Sequence, residues 1–279
     1  MIEYEDKSKL IPQDKYLFSV TSLREFEYNP NSFFRKVIKK EKIPFFSNES
    51  VLGTIIHYFI SENFAKREFK YSDVLDYFDS IPKEFDINTF WVDSKFKEMK
   101  DKVLSYVNGL DIREPDESEG THILQLTDNV YLGGTLDYRL DNLILDFKTT
   151  SKLTLSEDEP IPEHYLNQLY TYSYILHQKG IAVDKIGIVW LCVPETNRIS
   201  PKTGKPMKDY PCRCFTKIEY LNQERMDLIT NKLKLISETI EYILSNPESF
   251  KYFARDLEYK DDSDRNRCRS ERSIMPNTE

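Results

Sequence analysis

Two aspartates and a lysine lie close together in the middle of this 279-residue chain. They are Asp137, Asp146 and Lys148, and they belong to the segment GTLDYRLDNLILDFKTTSK. Carboxylate oxygens are the ligands that Mg²⁺ or Mn²⁺ prefers, and a metal held in this way can bind a phosphate and lower the pKa of a water. An adjacent ammonium can orient that water or stabilise the developing charge. The residue types therefore allow metal-assisted attack on a phosphate ester.

A β-hairpin predicted over this segment would bring the three side chains together. Asp141 and Asn142 form a favourable two-residue turn, because both tolerate positive φ. The resulting pairing places Asp137 opposite Asp146 and Thr135 opposite Lys148. One face of the hairpin would carry Leu136, Tyr138, Leu140, Leu143, Leu145 and Phe147. The other face would carry Thr135, Asp137, Arg139, Ile144, Asp146 and Lys148.

Two directly opposed carboxylates need compensation. Their Cβ atoms would be about 5 Å apart, and the charges would repel by roughly 3–4 kcal/mol at an effective dielectric constant near 20. Lys148 and Arg139 could neutralise them as a structural ion cluster, or the carboxylates could share a proton as an acid–base dyad. A divalent cation could also lie between them, with the carbonyl of Phe147 as a further oxygen ligand. The hairpin residues alone leave all three explanations open.

The order of predicted elements indicates an α/β fold with a central mixed β-sheet flanked by helices. Residues 18–254 are predicted to form a single domain with a helical insertion around residues 70–115. Residues 1–17 and 255–279 are charged and are predicted to be tails. A capping box of Ser22 and Glu25 would begin a first short helix. Helical periodicity over residues 51–69 predicts a longer helix that carries His57.

The remaining strands and helices are predicted from changes in the spacing of apolar residues along the sequence. THILQL, VYLGGTLDYRL and LILDFKTT predict three consecutive antiparallel strands, and KIGIVWLCV and RCFTKIEY predict two more. A helix ending at Gly180 would connect the two groups of strands, and an amphipathic helix over residues 222–244 would close the domain.

Composition excludes some functions and places others in doubt. The net charge of −8 argues against nonspecific coating of nucleic acid or acidic membranes. A loop with Arg198, Lys202, Lys205 and Lys208 could follow a DNA backbone, although a solvated hairpin tip more commonly explains such a composition. No apolar run suits a membrane span, and the charged N-terminus lacks the apolar region of a secretory signal. We therefore expect a cytoplasmic protein.

Four motifs in order resemble those of the PD-(D/E)XK nucleases, specifically their RecB-like exonuclease branch. GGTLDYRL and LDFKTT resemble the catalytic hairpin of that branch, and FSVTSLREFEYNPNSFF resembles its N-terminal motif. LGTIIHYFI resembles its Gly-x-x-x-His helix, and YLNQLYTYSYIL resembles its Gln-x-x-x-Tyr helix. The resemblance covers residues 18–66 and 117–195, and it implies a restriction-endonuclease-like core.

The resemblance also implies roles for individual residues. The implied metal ligands are His57, Asp137, Asp146 and the backbone carbonyl of Phe147, with Mg²⁺ or Mn²⁺ as the cofactor. The catalytic residues would be Asp137, Asp146 and Lys148, with Lys148 assisting the attacking water, and the residues that position DNA would be Gln168 and Tyr172. Glu62 and Glu119 are candidates for additional acidic ligands. Without the resemblance, His57 would more commonly be a core histidine, and Gln168 and Tyr172 an ordinary polar edge of a helix.

The implied activity is a metal-dependent DNA exonuclease, in preference to an endonuclease, in DNA repair, recombination or phage DNA processing. The alternative is a catalytically inert module of the same fold that binds DNA or a protein partner. A DNA end would be the substrate, single- or double-stranded, and a recombination or replication protein is a further candidate partner. Both a ring-shaped trimer and a monomer fit the sequence.

Many relatives carry four cysteines for an iron–sulfur cluster, the first of them in a Cys-Pro pair. Asn29 stands at that position here, so we expect no cluster and infer that Cys268 is unrelated to one. Cys212 and Cys214 flank a single arginine and could share a metal, but two neighbouring residues on one strand face explain the spacing more simply.

Overall fold

The computed structural model describes residues 2, 7–41, 46–110, 115–196 and 198–253. The strands are β1 (Tyr16–Ser19), β2 (Glu117–Gln125), β3 (Val130–Leu140), β4 (Leu143–Thr150), β5 (Lys185–Cys192) and β6 (Arg213–Tyr220). The helices are α1 (Leu23–Tyr28), α2 (Pro30–Ile38), α3 (Asn48–Phe64), α4 (Tyr71–Ser80), α5 (Thr89–Gly109), α6 (Glu163–Gln178), α7 (Gln223–Ser245) and α8 (Phe250–Phe253).

The six strands form one sheet, and its mixed character was predicted from the sequence. Strands β2, β3 and β4 are consecutive antiparallel neighbours, and α6 then connects β4 to the parallel strand β5. Strand β6 pairs antiparallel with β5, and β1 pairs parallel with β3. Helices cover both faces of this sheet, so the α/β architecture is confirmed. None of the described helices is long and apolar enough to cross a membrane.

The two edges of β3 are used differently. Along one edge β2 pairs with residues 131–139. Along the other edge β1 pairs with residues 130–133, and β4 pairs with residues 138–140. Residues 134–137 therefore have neither β1 nor β4 as a partner on this second edge. This four-residue gap between β1 and β4, which we call the fork, lies in the middle of the sheet.

The hairpin itself matches the sequence prediction only near its turn. The pairs Arg139–Ile144 and Tyr138–Leu145 have the predicted register, and Asp141 has a φ of 50° in the turn. The predicted continuation of this ladder to Asp137–Asp146 and Thr135–Lys148 is wrong, because β4 leaves β3 beyond Tyr138–Leu145. The expected single apolar face is also wrong, since Leu136 and Tyr138 pack in different core clusters. The apolar side chains of β3 therefore switch from one face of the sheet to the other at Asp137.

Two apolar cores lie on opposite faces of the sheet. One core packs α1, α2, α6 and α7 against residues such as Leu132, Ile144 and Ile188. The other core packs α3, α4 and α5 against Tyr138, Phe147 and similar residues. Helices α4 and α5 lie within residues 70–115. They cover the outer side of α3, whose inner side faces β4.

The N-terminal part of the chain contains a strand that the sequence did not predict. Strand β1 begins at Tyr16, inside the segment 1–17, and Ile11 before it is buried. The capping box is formed by Ser19 and Ser22, with reciprocal side-chain-to-backbone bonds, so the predicted box of Ser22 and Glu25 is wrong. The charged segment 255–279 lies outside the described residues.

The fork depends on a glycine at Gly134. A Cβ atom added there would lie 2.6 Å from Cε1 of Tyr172 and 2.7 Å from Cγ2 of Val20. We expect Gly134→Ala to lower the free energy of unfolding by about 1–3 kcal/mol, because these packed side chains must move. Gly109→Ala is the matched control, since a Cβ there meets no atom within 4 Å. Urea unfolding of both variants checks this, and equal stabilities would contradict it.

Candidate active site

Asp137 holds the two diverging strands together at the fork. Its carboxylate oxygen Oδ2 accepts a hydrogen bond of 2.7 Å from the backbone N–H of Phe147 on β4. The side chain thus replaces the backbone carbonyl that a continued β-ladder would have offered. Asp137 is 9% exposed, so this bond forms away from bulk water. Oδ1, the second oxygen of the same carboxylate, faces His57.

His57 approaches the fork from α3. Its Nε2 lies 2.8 Å from the carbonyl oxygen of Phe147, and its Nδ1 lies 3.5 Å from Oδ1 of Asp137. Gly53, one turn earlier, permits the close approach of α3 to β4. A Cβ at Gly53 would already lie 3.1 Å from the hydroxyl of Thr149. The Gly-x-x-x-His pattern therefore has a packing reason as well as a chemical one.

Asp146 and Lys148 extend from β4 towards α6. Nζ of Lys148 is 2.6 Å from Oδ2 of Asp146, and Nε2 of Gln168 donates a hydrogen bond of 2.9 Å to Oδ1. Asp146 is 2% exposed, whereas the Lys148 side chain is 20% exposed. Of the Asp146–Lys148 pair, the lysine is thus the side chain that reaches solvent.

Tyr172 contacts the backbone of the fork. Its hydroxyl donates a hydrogen bond of 2.5 Å to the carbonyl of Thr135, which pairs with neither β1 nor β4. The tyrosine is 3% exposed, and its ring packs on Gly134. Its hydroxyl therefore satisfies a backbone carbonyl of the fork. Gln168, one turn earlier on α6, contacts Asp146 directly.

The two additional acidic candidates have different positions. Glu119 reaches the fork, with Oε1 3.8 Å from Nδ1 of His57. It lies where the β2–β3 ladder skips one pair, and its φ is 53°. Glu62 instead forms an ion pair with Arg67 and lines a separate cavity of about 530 Å³ with Tyr58. The structure thus brings Glu119 into the site and places Glu62 elsewhere.

The two aspartates have opposite electrostatic environments. Burial would raise the pKa of Asp137, but His57, Lys148 and the N–H of Phe147 outweigh it and hold the pKa below its ordinary value. Burial raises the pKa of Asp146 to about 6; Lys148 opposes this shift and Asp137 adds to it. Burial would lower the pKa of His57, but Asp137 and Glu119 hold it well above the ordinary value. In the metal-free protein, His57 and Lys148 thus supply the positive charge of the site.

The donor set at the fork fits a divalent cation. His57, Glu119 and Asp137 each offer a ligand atom, and these atoms all lie within 4.8 Å of one another. The carbonyl of Phe147 adjoins the imidazole, and the Asp146 carboxylate is close enough to Asp137 to influence its own pKa. Carboxylate and carbonyl oxygens suit Mg²⁺ or Mn²⁺. Metal binding through His57 requires the neutral imidazole and would release a proton.

A cleft of about 280 Å³ adjoins Lys148 on the α6 side. Arg24 of α1 and Tyr165 of α6 line it together with Gln168. Nζ of Lys148 lies 5.3 Å from the centre of the Tyr165 ring, a cation–π distance. Sequence reasoning missed Arg24 and Tyr165, although both lie within the quoted motifs. Arg24 is a cation of the N-terminal motif and could have been considered, whereas no feature of the sequence distinguishes Tyr165 from the other tyrosines of its helix.

The three cysteines within the described residues lie away from the fork. Cys214 belongs to β6, and Cys212 directly precedes that strand; both pack against the core under α3. Cys192 ends β5 in the other core. Cys268 lies outside the described residues.

A family model described as the PD-(D/E)XK nuclease superfamily matches residues 17–269. The chain belongs to this superfamily. The recognition made from the motifs is thereby confirmed at the superfamily level, and the mixed sheet flanked by helices agrees with the restriction-endonuclease-like core that the motifs implied. The prediction from the motifs is that Asp137, Asp146 and Lys148 are the residues to which that name refers. A comparison with curated proteins found no match.

Several solved structures have a similar fold. A candidate exonuclease of Eubacterium rectale is 12% identical, with a TM-score of 0.49, and the match covers 100% of this chain and 96% of that one. A phage related exonuclease of Haemophilus somnus 129PT is 14% identical, with a TM-score of 0.38 and coverage of 85% and 98%. LHK-Exo, an alkaline exonuclease of Laribacter hongkongensis, is 13% identical, with a TM-score of 0.34 and coverage of 53% and 69%. These likenesses concern the fold alone.

The raised pKa of Asp146 makes the stability of this PD-(D/E)XK nuclease depend on pH. The pKa is about 6 in the folded protein and about 3.9 in an unfolded chain. The folded state thus binds the extra proton between these values, and its stabilisation is present below about pH 4 and lost as the pH rises through 6. Between about pH 4 and pH 7, the metal-free wild type should lose up to about 3 kcal/mol more unfolding free energy than Asp146→Asn.

Urea unfolding in the presence of a chelator measures this difference, and the variant serves as the reference for all other titrating groups. A wild type and an Asp146→Asn protein with the same pH dependence would contradict the assignment. So would a steeper loss in the variant.

Proposed function

We propose that this protein is a metal-dependent DNA exonuclease. The observation that carries the proposal is the assembly of His57, Asp137, Asp146 and Lys148 around the backbone of Phe147 at the fork. Members of the fold without activity would not need to keep both carboxylates and the lysine in one buried place. Structural ion clusters normally use complementary pairs, whereas this group crowds two aspartates together and adds Glu119.

The proposed metal ligands are His57, Asp137, Asp146 and the carbonyl of Phe147, with Glu119 as a candidate for a further one. A bound Mg²⁺ or Mn²⁺ supplies Lewis-acid chemistry there, by polarising a phosphate oxygen and lowering the pKa of a water. Asp137 has a second task, since its bond to the Phe147 N–H keeps the Phe147 carbonyl aimed at the imidazole.

Lys148 is proposed to act on the reacting phosphate. Its ammonium is held between the Asp146 carboxylate and the ring of Tyr165, and it borders the cleft. A cation in this position can orient the attacking water and stabilise the negative charge that grows on the phosphorus oxygens. Tyr165 in turn packs on Trp190, with the ring centres 5.5 Å apart, so the lysine has a rigid support.

DNA is proposed to enter the cleft between α1 and α6. Arg24 lines this cleft and offers a guanidinium for a backbone phosphate. Gln168 orients Asp146 and can also contact the strand, because its side chain borders the same cleft. Tyr172 contributes indirectly by holding the backbone at Thr135.

The preference for DNA ends rests on the four ordered motifs that resemble the RecB-like exonuclease branch. The three similar structures are each of a protein described as an exonuclease, and that description applies to those proteins. For this chain, DNA repair, recombination or phage DNA processing is the proposed context. A recombination or replication protein is the proposed partner class.

The decisive variant is Lys148→Ala. We expect the wild type to release nucleotides from end-labelled DNA only when Mg²⁺ or Mn²⁺ is present. The kcat of the variant should be at least about a hundredfold lower, because removing a group that stabilises developing charge typically has an effect of this size. Lys152→Ala is the matched control, because this exposed lysine pairs with Glu159 and lies on the segment that directly follows β4. It should retain wild-type activity.

Equal activity of the Lys148→Ala protein and the wild type would contradict the catalytic assignment. Metal titration distinguishes the proposed nuclease from the alternative, an inert module of the same fold. The wild type and Lys148→Ala should both bind Mn²⁺, whereas Asp137→Ala should bind it much more weakly. A wild type that binds no Mn²⁺ and releases no nucleotide would favour the inert module.

A further inference from the structure

The connection between β5 and β6 forms a hairpin that carries an unusual share of positive charge. We call residues 198–208 the basic arm. It contains Arg198, Lys202, Lys205 and Lys208 and no acidic residue, in a chain whose net charge is −8. The local charge is therefore opposite in sign to that of the whole protein.

The arm has ordered backbone geometry. Glu195 pairs with Tyr210 at its base, and Ile199 pairs with Pro206 nearer its tip. At the tip, the N–H of Ser200 donates to the carbonyl of Lys205, and Gly204 adopts a φ of 64°. The arm is thus a β-hairpin and not an irregular loop, so its cations have defined positions along it.

Three lysines of the arm have no carboxylate partner within the described residues. Lys202, Lys205 and Lys208 are exposed, and none of them forms an ion pair with a carboxylate in the described parts of the chain. The Tyr210 ring lies between two cations at the base of the arm, Arg198, which also approaches Glu195, and Lys208, whose Nζ is 5.3 Å from the ring centre. Ile199 on the same hairpin is 57% exposed, so apolar packing does not explain the arm either.

The arm leaves the sheet at the carboxyl ends of β4 and β5. Strands β4 and β5 run parallel, with Lys148 opposite Trp190, and the N–H of Val193 still donates to the carbonyl of Thr150. The arm begins only five residues after Val193. The base of the arm therefore lies beyond the carboxyl end of β4, the strand that carries Lys148.

We propose that the basic arm contacts the phosphate backbone of the DNA whose end lies in the active site. This surface rests on the proposed function and adds a specific contact to it. Charge complementarity favours DNA as the occupant, because three exposed lysines without a carboxylate partner in the described parts of the chain concentrate positive charge on one short hairpin, and a phosphate backbone carries the opposite charge. Such contacts fix position without reading sequence.

The test compares two triple variants with equal charge change. Lys202→Gln, Lys205→Gln and Lys208→Gln are combined as the arm variant. Lys83→Gln, Lys102→Gln and Lys234→Gln, all at exposed positions outside the arm, are combined as the control. Fluorescence anisotropy gives the Kd for a labelled duplex of roughly 20 base pairs, in chelator to prevent cleavage, over about 50–200 mM KCl. Thermal unfolding checks that both variants fold like the wild type.

We expect the slope of log K against log salt to decrease in magnitude by about 2–3 in the arm variant, and the affinity near 0.1 M KCl to fall at least about tenfold. The control should keep the slope of the wild type. An arm variant with the wild-type slope and Kd would overturn the proposal, as would an equal change in the control.

Failure of the arm and failure of the proposed function give different results. A wild type that releases nucleotides with Mn²⁺, beside an arm variant with unchanged salt dependence, rejects the arm alone. A wild type that neither binds the duplex nor releases nucleotides rejects the proposed function and the arm with it.

Discussion

The hydrogen bond from the Phe147 amide to the Asp137 carboxylate is the interaction on which the site depends. A continuous β3–β4 ladder would saturate the backbone here and leave no room for side chains. By accepting the amide proton, Asp137 allows β4 to separate from β3 without leaving that N–H unpaired in the interior. The separation exposes the Phe147 carbonyl to His57 and opens the space in which carboxylates and lysine meet.

The vacated edge of β3 has other partners that make the separation possible. Strand β1 pairs with the first part of that edge, and Tyr172 bonds to the carbonyl of Thr135 within the gap. Gly134 lets the tyrosine ring approach the backbone, and Gly53 lets α3 approach β4 from the other face. The Gly-Gly pair, the Gly-x-x-x-His helix and the Gln-x-x-x-Tyr helix thus all support one irregularity in the sheet.

Charge is balanced in the metal-free site by groups of the chain itself. The imidazolium of His57 stabilises the Asp137 carboxylate and the ammonium of Lys148 faces Asp146, yet burial still raises the pKa of Asp146 to about 6. A cation that replaces the His57 proton would bring the third acid, Glu119, into use. In the proposed metal-bound state, the cation would thus take over the positive charge that His57 supplies here.

Sequence reasoning found what depends on local pattern. The Asp141-Asn142 turn, the register beside it, the helix carrying His57 and the closing helix all follow from propensity and periodicity within short segments. The fork did not follow, because it arises from competition between β1 and β4 for one edge of β3, and β1 is four residues long and lies more than a hundred positions away.

The same long-range competition explains the errors at the site. A regular hairpin makes Asp137 and Asp146 equivalent, whereas the structure lowers the pKa of Asp137 and raises that of Asp146. Tyr165 and Arg24 acquire their roles only when α6 and α1 pack beside Lys148. Glu119 and Glu62 could not be distinguished from the sequence, since only the skipped pair in β2 brings Glu119 to His57.

Anomalous diffraction from crystals soaked in Mn²⁺ tests the central claim most directly. The account predicts a manganese peak at the fork, within about 2.5 Å of oxygens of Asp137 and Asp146 and of the Phe147 carbonyl, with the Asp137 bond to the Phe147 amide retained. A peak elsewhere, or no peak at the fork in crystals soaked at millimolar Mn²⁺, would contradict it.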